Sequence, residues 1–207
     1  MTKTTPRRSG TAVPAGSNAA GIVAVLVLLT GCSTDVPGAA KPLQPAAPRT
    51  SLPTRTKDLS LRDTDPCRLL TPGQLDELKE NGAPREVAQD NRRDGPTCAF
   101  DVDATPPTYT YYLETITDAD LEDWLSGGHR KTGMIQQPVE VPGYPALVRH
   151  APDAGGVLDC ETLVGVADGQ TLRAEVAPDD RSTGQERLCE MSTNLAKMAL
   201  RTLGATP

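Results

Sequence analysis

The first 32 residues restrict the fold more than any other part of the sequence, because they indicate where the chain folds and how much of it a domain can use. Three basic residues, Lys3, Arg7 and Arg8, precede an apolar run over residues 19–29, and no acidic residue precedes Asp35. The run is too short to cross roughly 30 Å of hydrocarbon as a helix. This arrangement predicts a cleaved export signal over residues 1–31 and a domain that folds outside the cytoplasm.

The predicted export signal ends in a cysteine. The order Leu29-Thr30-Gly31-Cys32 resembles the lipobox of bacterial lipoproteins, in which two small residues admit a peptidase and the thiol carries a diacylglycerol with acyl chains such as palmitate. We therefore expect lipidation of Cys32 and localisation at the extracytoplasmic face of the cell membrane. An ordinary secretory signal that happens to leave a cysteine is the alternative. Arg7-Arg8 also leaves twin-arginine export open, although the apolar residues that should follow this pair are absent.

The charge of the chain changes along its length. The whole sequence carries 21 Lys and Arg against 27 Asp and Glu, a net charge of −6. Because no basic run is longer than a pair, this balance argues against a protein that neutralises nucleic-acid phosphates. Residues 61–207 hold 14 basic against 25 acidic residues, which gives −11. Anionic head groups would repel such a domain, so we expect the membrane to hold it through the lipid on Cys32.

Residues 32–60 follow the predicted cleavage site and are rich in Pro, Ala, Thr and Ser. They show no periodic apolar face, so they cannot bury enough surface to offset the entropy of ordering. We interpret this segment as the lipidated cysteine followed by a disordered tether. The domain is then expected to occupy residues 61–207.

Four cysteines remain in the predicted domain: Cys67, Cys98, Cys160 and Cys189. An even number of cysteines in an exported chain predicts disulfide bonds. Three pairings are possible, and we favour Cys67–Cys98 and Cys160–Cys189 because each bond then joins a helix to a neighbouring strand. A zinc site is the alternative, but the sequence has no CxxC motif and its two histidines lie far from the cysteines. We expect no metal and no cofactor.

Hydrophobic periodicity and turn residues predict an α+β domain. Helices are expected from Pro72 with Thr71 as the N-cap, from Asp118 to Gly127, and over residues 185–203. Strands are expected over residues 98–102, 109–116, 137–141, 146–150, 157–166 and 171–177, with a hairpin turn at Asp168-Gly169. Apolar residues alternate in the last two strands, as in a sheet with one buried face. We therefore predict a single domain with helices packed on a face of an antiparallel sheet and two disulfides.

Several short motifs occur in an order that resembles a known family. After the lipobox and the Pro-rich tether, the chain has Asp65-Pro66-Cys67-Arg68-Leu69-Leu70-Thr71, then Cys98-Ala99-Phe100, Val141-Pro142-Gly143-Tyr144-Pro145-Ala146, Asp159-Cys160-Glu161 and a late Cys189. This order is similar to an actinobacterial lipoprotein family known as domain of unknown function 3558, over residues 65–203. The resemblance implies an exported, lipid-anchored, disulfide-bonded domain. It implies no catalytic residue, because the family has no established activity.

The large aromatic side chains suggest a binding region. All six lie between residues 100 and 144, and tyrosine and tryptophan around a concavity suit a glycan, peptide or lipid ligand. Packing in the core and on the sheet is the alternative. The candidate ligand-binding residues are Tyr109, Tyr112, Trp124 and Tyr144.

Evidence for catalysis in the sequence is sparse. His129 and His150 could each act as a base, but no serine lies in a nucleophile elbow and no cysteine of the predicted domain is left unpaired. The acidic residues that begin the second helix are better explained by the helix dipole than by a cation. We therefore expect no catalytic residue and a non-enzymatic domain that binds an envelope ligand or a partner protein. A cell-envelope hydrolase, or an accessory to one, is the alternative.

Overall fold

The computed structural model describes residues 52–152 and 158–205. The predicted export signal, Cys32 and most of the predicted tether therefore lie outside the described residues. The described chain contains a seven-stranded antiparallel sheet with strand order β1-β2-β3-β7-β6-β5-β4. The strands are β1 (Arg85–Val87), β2 (Thr97–Val102), β3 (Tyr109–Ile116), β4 (Ile135–Pro138), β5 (Ala146–His150), β6 (Cys160–Ala167) and β7 (Gln170–Pro178), and the α-helices are α1 (Pro72–Leu78), α2 (Leu121–Leu125) and α3 (Gln185–Ala205).

Local sequence signals explain most of these boundaries. Thr71 caps α1 in a capping box with Gln74, and Lys79 ends the helix with a left-handed φ of 61°. The β6–β7 hairpin turns at Gly169, where φ is 66°, a conformation that glycine adopts without a steric penalty. The six predicted strands are present with small shifts of their ends. Two short elements were not predicted, namely β1 and the 3₁₀ helix Pro66–Arg68.

The start of α2 corrects one prediction. Asp120, and not Asp118, is the N-cap, and its carboxylate accepts hydrogen bonds from the backbone N–H groups of Glu122 and Asp123. The side chain of Asp123 bonds back to the N–H of Asp120 and completes a capping box. The sequence gives acidic residues at several adjacent positions, and only the backbone geometry selects the one that caps.

One face of the sheet packs against α3 and forms the main hydrophobic core. The helix buries a stripe at helical spacing that includes Leu188, Leu195 and Leu203. Facing it, the inward positions of the strands include Phe100 and Leu113, which are fully buried. We call this side of the sheet the helix face.

Both predicted disulfides are present on the helix face. Cys67 of the 3₁₀ helix bonds to Cys98 of β2, and Cys160 of β6 bonds to Cys189 of α3. The predicted pairing is therefore confirmed, including the expectation that each bond joins a helix to a strand. The fold class, an α+β domain with an antiparallel sheet and two disulfides, is confirmed as well.

The opposite face of the sheet is also covered at its centre. A second cluster of buried apolar residues lies there beneath α2, and every residue of β6 is buried. The expectation of a single buried face is therefore wrong for the central strands. Loops on both sides of α2 and before β2 cover the remaining central positions, which are charged. We call this side the charged face.

Residues before 61, where the composition predicts that the domain begins, already contact the sheet. The backbone N–H of Thr56 donates to the carbonyl of Gly143, and that of Leu59 donates to the carbonyl of Val166. The side chain of Leu59 is buried in the main core. Packing against the sheet therefore begins before residue 61. Within residues 52–152 and 158–205, none of the helices combines the length and the apolar character needed to traverse a bilayer.

Candidate functional site

The charged face carries a row of ionisable side chains across its central strands. Because alternate residues of a strand lie on opposite faces, the apolar positions of β6 and β7 leave Glu161 and Glu175 on the charged face. Strand register places these two glutamates directly opposite each other. The same register places Tyr112 opposite Glu175, and Arg149 opposite Glu161. Facing like charges destabilise a sheet, so the two glutamates require cations nearby.

Arg173 of β7 is one of these cations, and its side chain is only 2% exposed. It pairs with Glu114, its neighbour in register on β3, and its Nη1 lies 3.0 Å from Oδ2 of Asp94. Its Nη2 donates to the carbonyl oxygen of Arg92 at 2.8 Å. Burial lowers the pKa of Arg173, but the surrounding carboxylates, led by Glu114, outweigh burial and raise the pKa overall. Arg173 thereby holds the loop that precedes β2 against the sheet.

Glu114 of β3 also holds the loop before β2 against the sheet. Its Oε1 accepts hydrogen bonds from the backbone N–H groups of Gly95, at 2.7 Å, and of Asp94. Burial raises the pKa of Glu114, while Arg173 and the two N–H donors act in the opposite direction. Only glycine fits at position 95, because a Cβ there would lie 2.2 Å from the carbonyl oxygen of Thr115. The loop before β2 is therefore held by both side-chain and backbone contacts.

Arg149 of β5 is the second buried cation. Its Nε lies 2.5 Å from Oε1 of Glu161, and its guanidinium carbon lies 4.7 Å from the centroid of the Trp124 ring. Its Nη2 is buried without a hydrogen-bond partner among the described residues. The indole face of Trp124 compensates part of that loss through a cation–π interaction. Trp124 itself is anchored by a hydrogen bond from Nε1 to Oγ1 of Thr171 at 3.2 Å.

Arg93 is the third cation, and it lies on the loop that Arg173 and Glu114 hold. Its Nη1 lies 2.5 Å from Oε2 of Glu175, and its guanidinium carbon lies 4.2 Å from the centroid of the Tyr112 ring. A longer contact of 3.8 Å joins Nη1 to Oε2 of Glu114. The loop before β2 therefore places a guanidinium directly above the row of charges.

Some of these side chains, including Arg93, Arg173 and Glu175, line a cavity of about 460 Å³, which we call the charged cavity. Its volume is within the range of pockets that bind small molecules, roughly 300 to 1,000 Å³. The wall is built from β3, β6 and β7, the loop before β2, the segment between α2 and β4, and the residues that directly follow β5 and precede β6. The lining residues are Arg92, Arg93, Tyr112, Lys131, Met134, Ala151, Asp159, Glu161, Arg173, Glu175 and Ala177.

Asp159 shows that the carboxylates lining this cavity are not all paired with cations of the protein. Its carboxylate has no ion-pair partner within 4.0 Å among the described residues, although four other carboxylates of the network do. Burial, followed by the neighbouring Glu175 and Glu161, raises the pKa of Asp159, and Lys131 opposes this shift. Carboxylates perturbed in this way cluster at functional sites. Asp159 is therefore an ionisable group with unused binding capacity in the cavity wall.

The four aromatic residues singled out from the sequence lie in different places. Tyr112 lines the charged cavity, and Trp124 is buried beneath the same ion network without lining it. Tyr109 lies on the helix face and lines a separate cavity of about 300 Å³. Tyr144 is buried in the main core, where burial raises the pKa of its hydroxyl. The structure therefore associates two of the four with the charged face and does not gather all four around one concavity.

The two histidines also lie apart from each other. His129 packs against Trp124 with ring centroids 4.8 Å apart, and its Nδ1 lies 3.5 Å from Oδ1 of Asp94. The Nδ1 of His150 lies 2.8 Å from the carbonyl oxygen of Ala151. Across residues 52–152 and 158–205, neither imidazole has a hydroxyl or thiol group as a hydrogen-bond partner. The geometry thus joins His129 to a carboxylate but joins neither histidine to a nucleophile.

A larger cavity, of about 610 Å³, lies between α3 and the strands β4 and β5. Val139 and Val148 form part of its apolar wall, and His150, Glu186 and Lys197 belong to its polar lining. In this cavity Glu186 and Lys197 have no ion-pair contact among the described residues, and the ionisable groups do not form a buried network. We therefore regard the charged cavity, where buried ionisable groups converge, as the candidate functional site.

Sequence reasoning missed most residues of this site. Glu161, Arg173 and Glu175 occupy the alternate positions of β6 and β7 that the one-buried-face model assigns to solvent. The missing information was that β7 is the central strand of the sheet, which makes charged residues there unusual. Arg93 lies outside the regular strands and in no motif, whereas Asp159 lies in the Asp159-Cys160-Glu161 motif, which supported the family resemblance without indicating a binding role. Among the described residues, no group of three or more metal-binding side chains is placed to hold an ion.

Comparison with known proteins gave a single finding. A family model described as "Protein of unknown function (DUF3558)" matches residues 27–202 of the chain. No curated protein and no solved structure matches the sequence.

Proposed function

Because the chain belongs to the DUF3558 family, whose function is unknown, we propose its role from its own residues: it is an exported lipoprotein that binds a small envelope ligand without catalysing a reaction. The proposal has two parts, an anchor at the N-terminus and a binding site in the domain. Each part is supported by different residues and is tested by a different experiment.

Cysteine usage supports the anchor. Disulfides persist in oxidising compartments outside the cytoplasm, which is consistent with export. The bonds Cys67–Cys98 and Cys160–Cys189 use four of the five cysteines, so Cys32 has no cysteine partner within its own chain. The family match begins at residue 27 and thus includes Cys32 and the end of the apolar run. A thiol with this sequence context is suited to receive a lipid.

The charged cavity supports the binding role, and it is the observation on which that role depends. Burying charges costs free energy that their mutual attraction often fails to recover, so a buried ion network is weak evidence for stability. Here part of the network lines a cavity, and Asp159 in its wall has no ion-pair partner within 4.0 Å among the described residues. A binding site explains both features, because a ligand would use the charges that the fold itself leaves unneutralised.

The hydrolase alternative requires a base, a carboxylate and a nucleophile within hydrogen-bond reach of one another. His129 and Asp94 supply the first two at 3.5 Å, but among the described residues no serine, threonine or cysteine completes the set. We therefore propose binding in preference to hydrolysis.

The anchor is tested by replacing its cysteine. Cys32→Ala is expected to release the protein from membranes into the soluble fraction and to abolish labelling by a fatty-acid analogue. Ser33→Ala, a small change at the next position, is the matched control and should stay membrane-bound and labelled. A Cys32→Ala protein that still partitions into the detergent phase would contradict the anchor.

The binding role is tested by filling the cavity. Ala177 lines the charged cavity, and Ala177→Trp introduces a large ring there, whereas Ala104→Trp adds the same ring at an exposed position. Full-length protein is purified from its own membranes in detergent, denatured, and the released small molecules are identified by mass spectrometry. We expect a compound with the wild type and with Ala104→Trp that is lost with Ala177→Trp. The same compounds in all three samples, or none in any, would refute binding in this cavity.

A further inference from the structure

The geometry points to a zwitterion as the ligand of the charged cavity: its ammonium group would contact Asp159 and Glu161, and its carboxylate would face Lys131 and Arg92. The ligand class is that of a free amino acid or a dipeptide. This inference rests on the proposed binding function and names the chemistry that the site would select.

The first argument is the balance of charge around the cavity. Three guanidinium groups, Arg93, Arg149 and Arg173, contact the carboxylates of the network. Five carboxylates surround them, namely Asp94, Glu114, Asp159, Glu161 and Glu175. Among these eight groups the carboxylates exceed the guanidiniums by two, and the other two cations of the lining, Arg92 and Lys131, are exposed. A cationic ligand group would offset this local excess of negative charge.

The second argument is the free acceptor capacity that faces the cavity. Glu161 uses Oε1 to accept from Arg149, while its Oε2 lies 3.7 Å from Nε of Arg173, too far for a hydrogen bond. The Nε–H of Arg173, on a side chain that is 98% buried and lines the cavity, also has no acceptor among the described residues; because it is a donor, an oxygen of the ligand and not its ammonium group would satisfy it. The carboxylate of Asp159 has no ion-pair partner within 4.0 Å among the described residues, and it accepts a hydrogen bond from its own backbone N–H. An ammonium group has three N–H donors, so it can bond to Asp159 and Glu161 at the same time.

The third argument is a pair of cations in the cavity lining. Lys131 and Arg92 are exposed residues on two different loops, and neither side chain has an ion-pair partner within 4.0 Å among the described residues, although Lys131 is near enough to Asp159 to oppose the rise of its pKa. Two cations at the cavity would repel a ligand that carries only positive charge. They would attract the carboxylate of a zwitterion, whose ammonium group would at the same time contact Asp159 and Glu161. Met134 and Ala177 add apolar wall suited to aliphatic parts of the ligand.

The inference is tested by measuring ligand binding with chemically blocked analogues. Full-length lipoprotein in detergent micelles is screened by thermal shift and calorimetry against free amino acids and dipeptides. Each binder is compared with its N-acetyl form, which lacks the ammonium, and with its C-terminal amide, which lacks the carboxylate. We expect at least one zwitterion to raise the melting temperature, N-acetylation to weaken binding at least tenfold, and amidation to weaken it less.

Two variants assign the two charged groups of the ligand to residues. Asp159→Asn is expected to weaken binding of the zwitterion at least tenfold. Asp118→Asn, the same change at an exposed carboxylate just before α2, should leave binding unchanged. Lys131→Gln should weaken binding of the zwitterion but not of its amide, because the amide no longer carries the charge that Lys131 would contact. A structural role of Lys131 would affect both ligands equally.

Control ligands separate failure of this inference from failure of the proposed function. Diamines, dicarboxylates and neutral sugars are tested in parallel with Ala177→Trp as the blocked cavity. If one of these classes binds in a manner that Ala177→Trp abolishes while no zwitterion binds, the cavity is a binding site and the zwitterion is wrong. Equal binding of free and N-acetylated forms, or no binding by any zwitterion, would also overturn the inference.

Discussion

The two faces of one sheet are built from the same strands but with opposite chemistry. On the helix face, β3, β6 and β7 present apolar side chains to α3, and both disulfides lie on the same face. On the charged face, the alternate residues of the same strands include Glu114, Glu161, Arg173 and Glu175. The difference is confined to which side of the backbone a residue occupies.

This contrast shows how the fold can tolerate a row of buried charges. Hydrophobic burial and the two covalent bonds stabilise the helix face, and each disulfide of this loop length contributes on the order of 3 to 4 kcal/mol in the chain-entropy model. Buried ion pairs, in comparison, recover little more than the cost of their own desolvation. The helix face can therefore supply the stability, while the charged face remains free to be shaped by binding.

The largest loss of stability is expected from a large-to-small substitution in the core of the helix face. Phe100 of β2 is fully buried in the main core. Phe100→Ala is expected to lower the free energy of unfolding by about 4 kcal/mol, because it removes the transfer free energy of the ring and leaves a cavity. Denaturant unfolding with the disulfides intact measures this loss. Ile135→Ala, at a residue that is 37% exposed, should change stability by less than about 1 kcal/mol.

An equal effect of Phe100→Ala and Ile135→Ala would show that the helix face is not the main source of stability. Because the disulfides persist in both variants, the difference between them reports on packing alone.

A somewhat smaller loss is expected when one partner of a buried charge pair is removed. Arg173→Met leaves Glu114 buried without its main counter-ion, and we expect it to lower the free energy of unfolding by about 3 kcal/mol. Adding Glu114→Gln removes the stranded charge but keeps a side-chain oxygen for the backbone N–H of Gly95. The double variant should recover more than half of the loss.

The comparison of Arg173→Met with the double variant shows how the charged face contributes to stability. A double variant that is as unstable as Arg173→Met alone would mean that the ion pair itself stabilises the fold, which would weaken the contrast between the two faces.

The helix face could be predicted from sequence to a large extent, and the reason is physical. Apolar periodicity reports directly on burial, so the strands and α3 were found within a few residues of their ends. The disulfide pairing followed because Cys160 and Cys189 lie in a predicted strand and a predicted helix. Capping residues such as Thr71 act locally, and their effect is visible without knowledge of the fold.

The charged face could not be predicted in the same way. A charged residue at an alternating strand position normally indicates solvent, and only the strand order shows that Arg173 is in the middle of the sheet. Partners such as Arg93 and Glu175 are far apart in sequence and meet only through the loop before β2. The clustering of aromatic residues in the sequence did indicate Tyr112 and Trp124, which belong to this face. It did not indicate the ion network around them.

The smallest expected effect has the opposite sign and tests the charged face most specifically. Burial and the neighbouring glutamates raise the pKa of Asp159 in the folded state above its ordinary value of 3.8. Between these two values the folded protein binds more protons than the unfolded chain, so stability falls as the pH rises through that range and stays lower above it. Asp159→Asn removes this ionisation and should therefore raise stability at pH 7, by less than about 1 kcal/mol for a half-buried group. The gain should disappear below pH 3.8. Asp118→Asn, the same change at an exposed position, should leave stability at pH 7 unchanged. Thermal unfolding across pH 3 to 8 measures the difference.

The sign of the change at pH 7 shows what the Asp159 carboxylate does. A loss of stability with Asp159→Asn would mean that the carboxylate stabilises the fold. A gain of stability accompanied by lost ligand binding is the result expected of a residue whose charge binds a ligand.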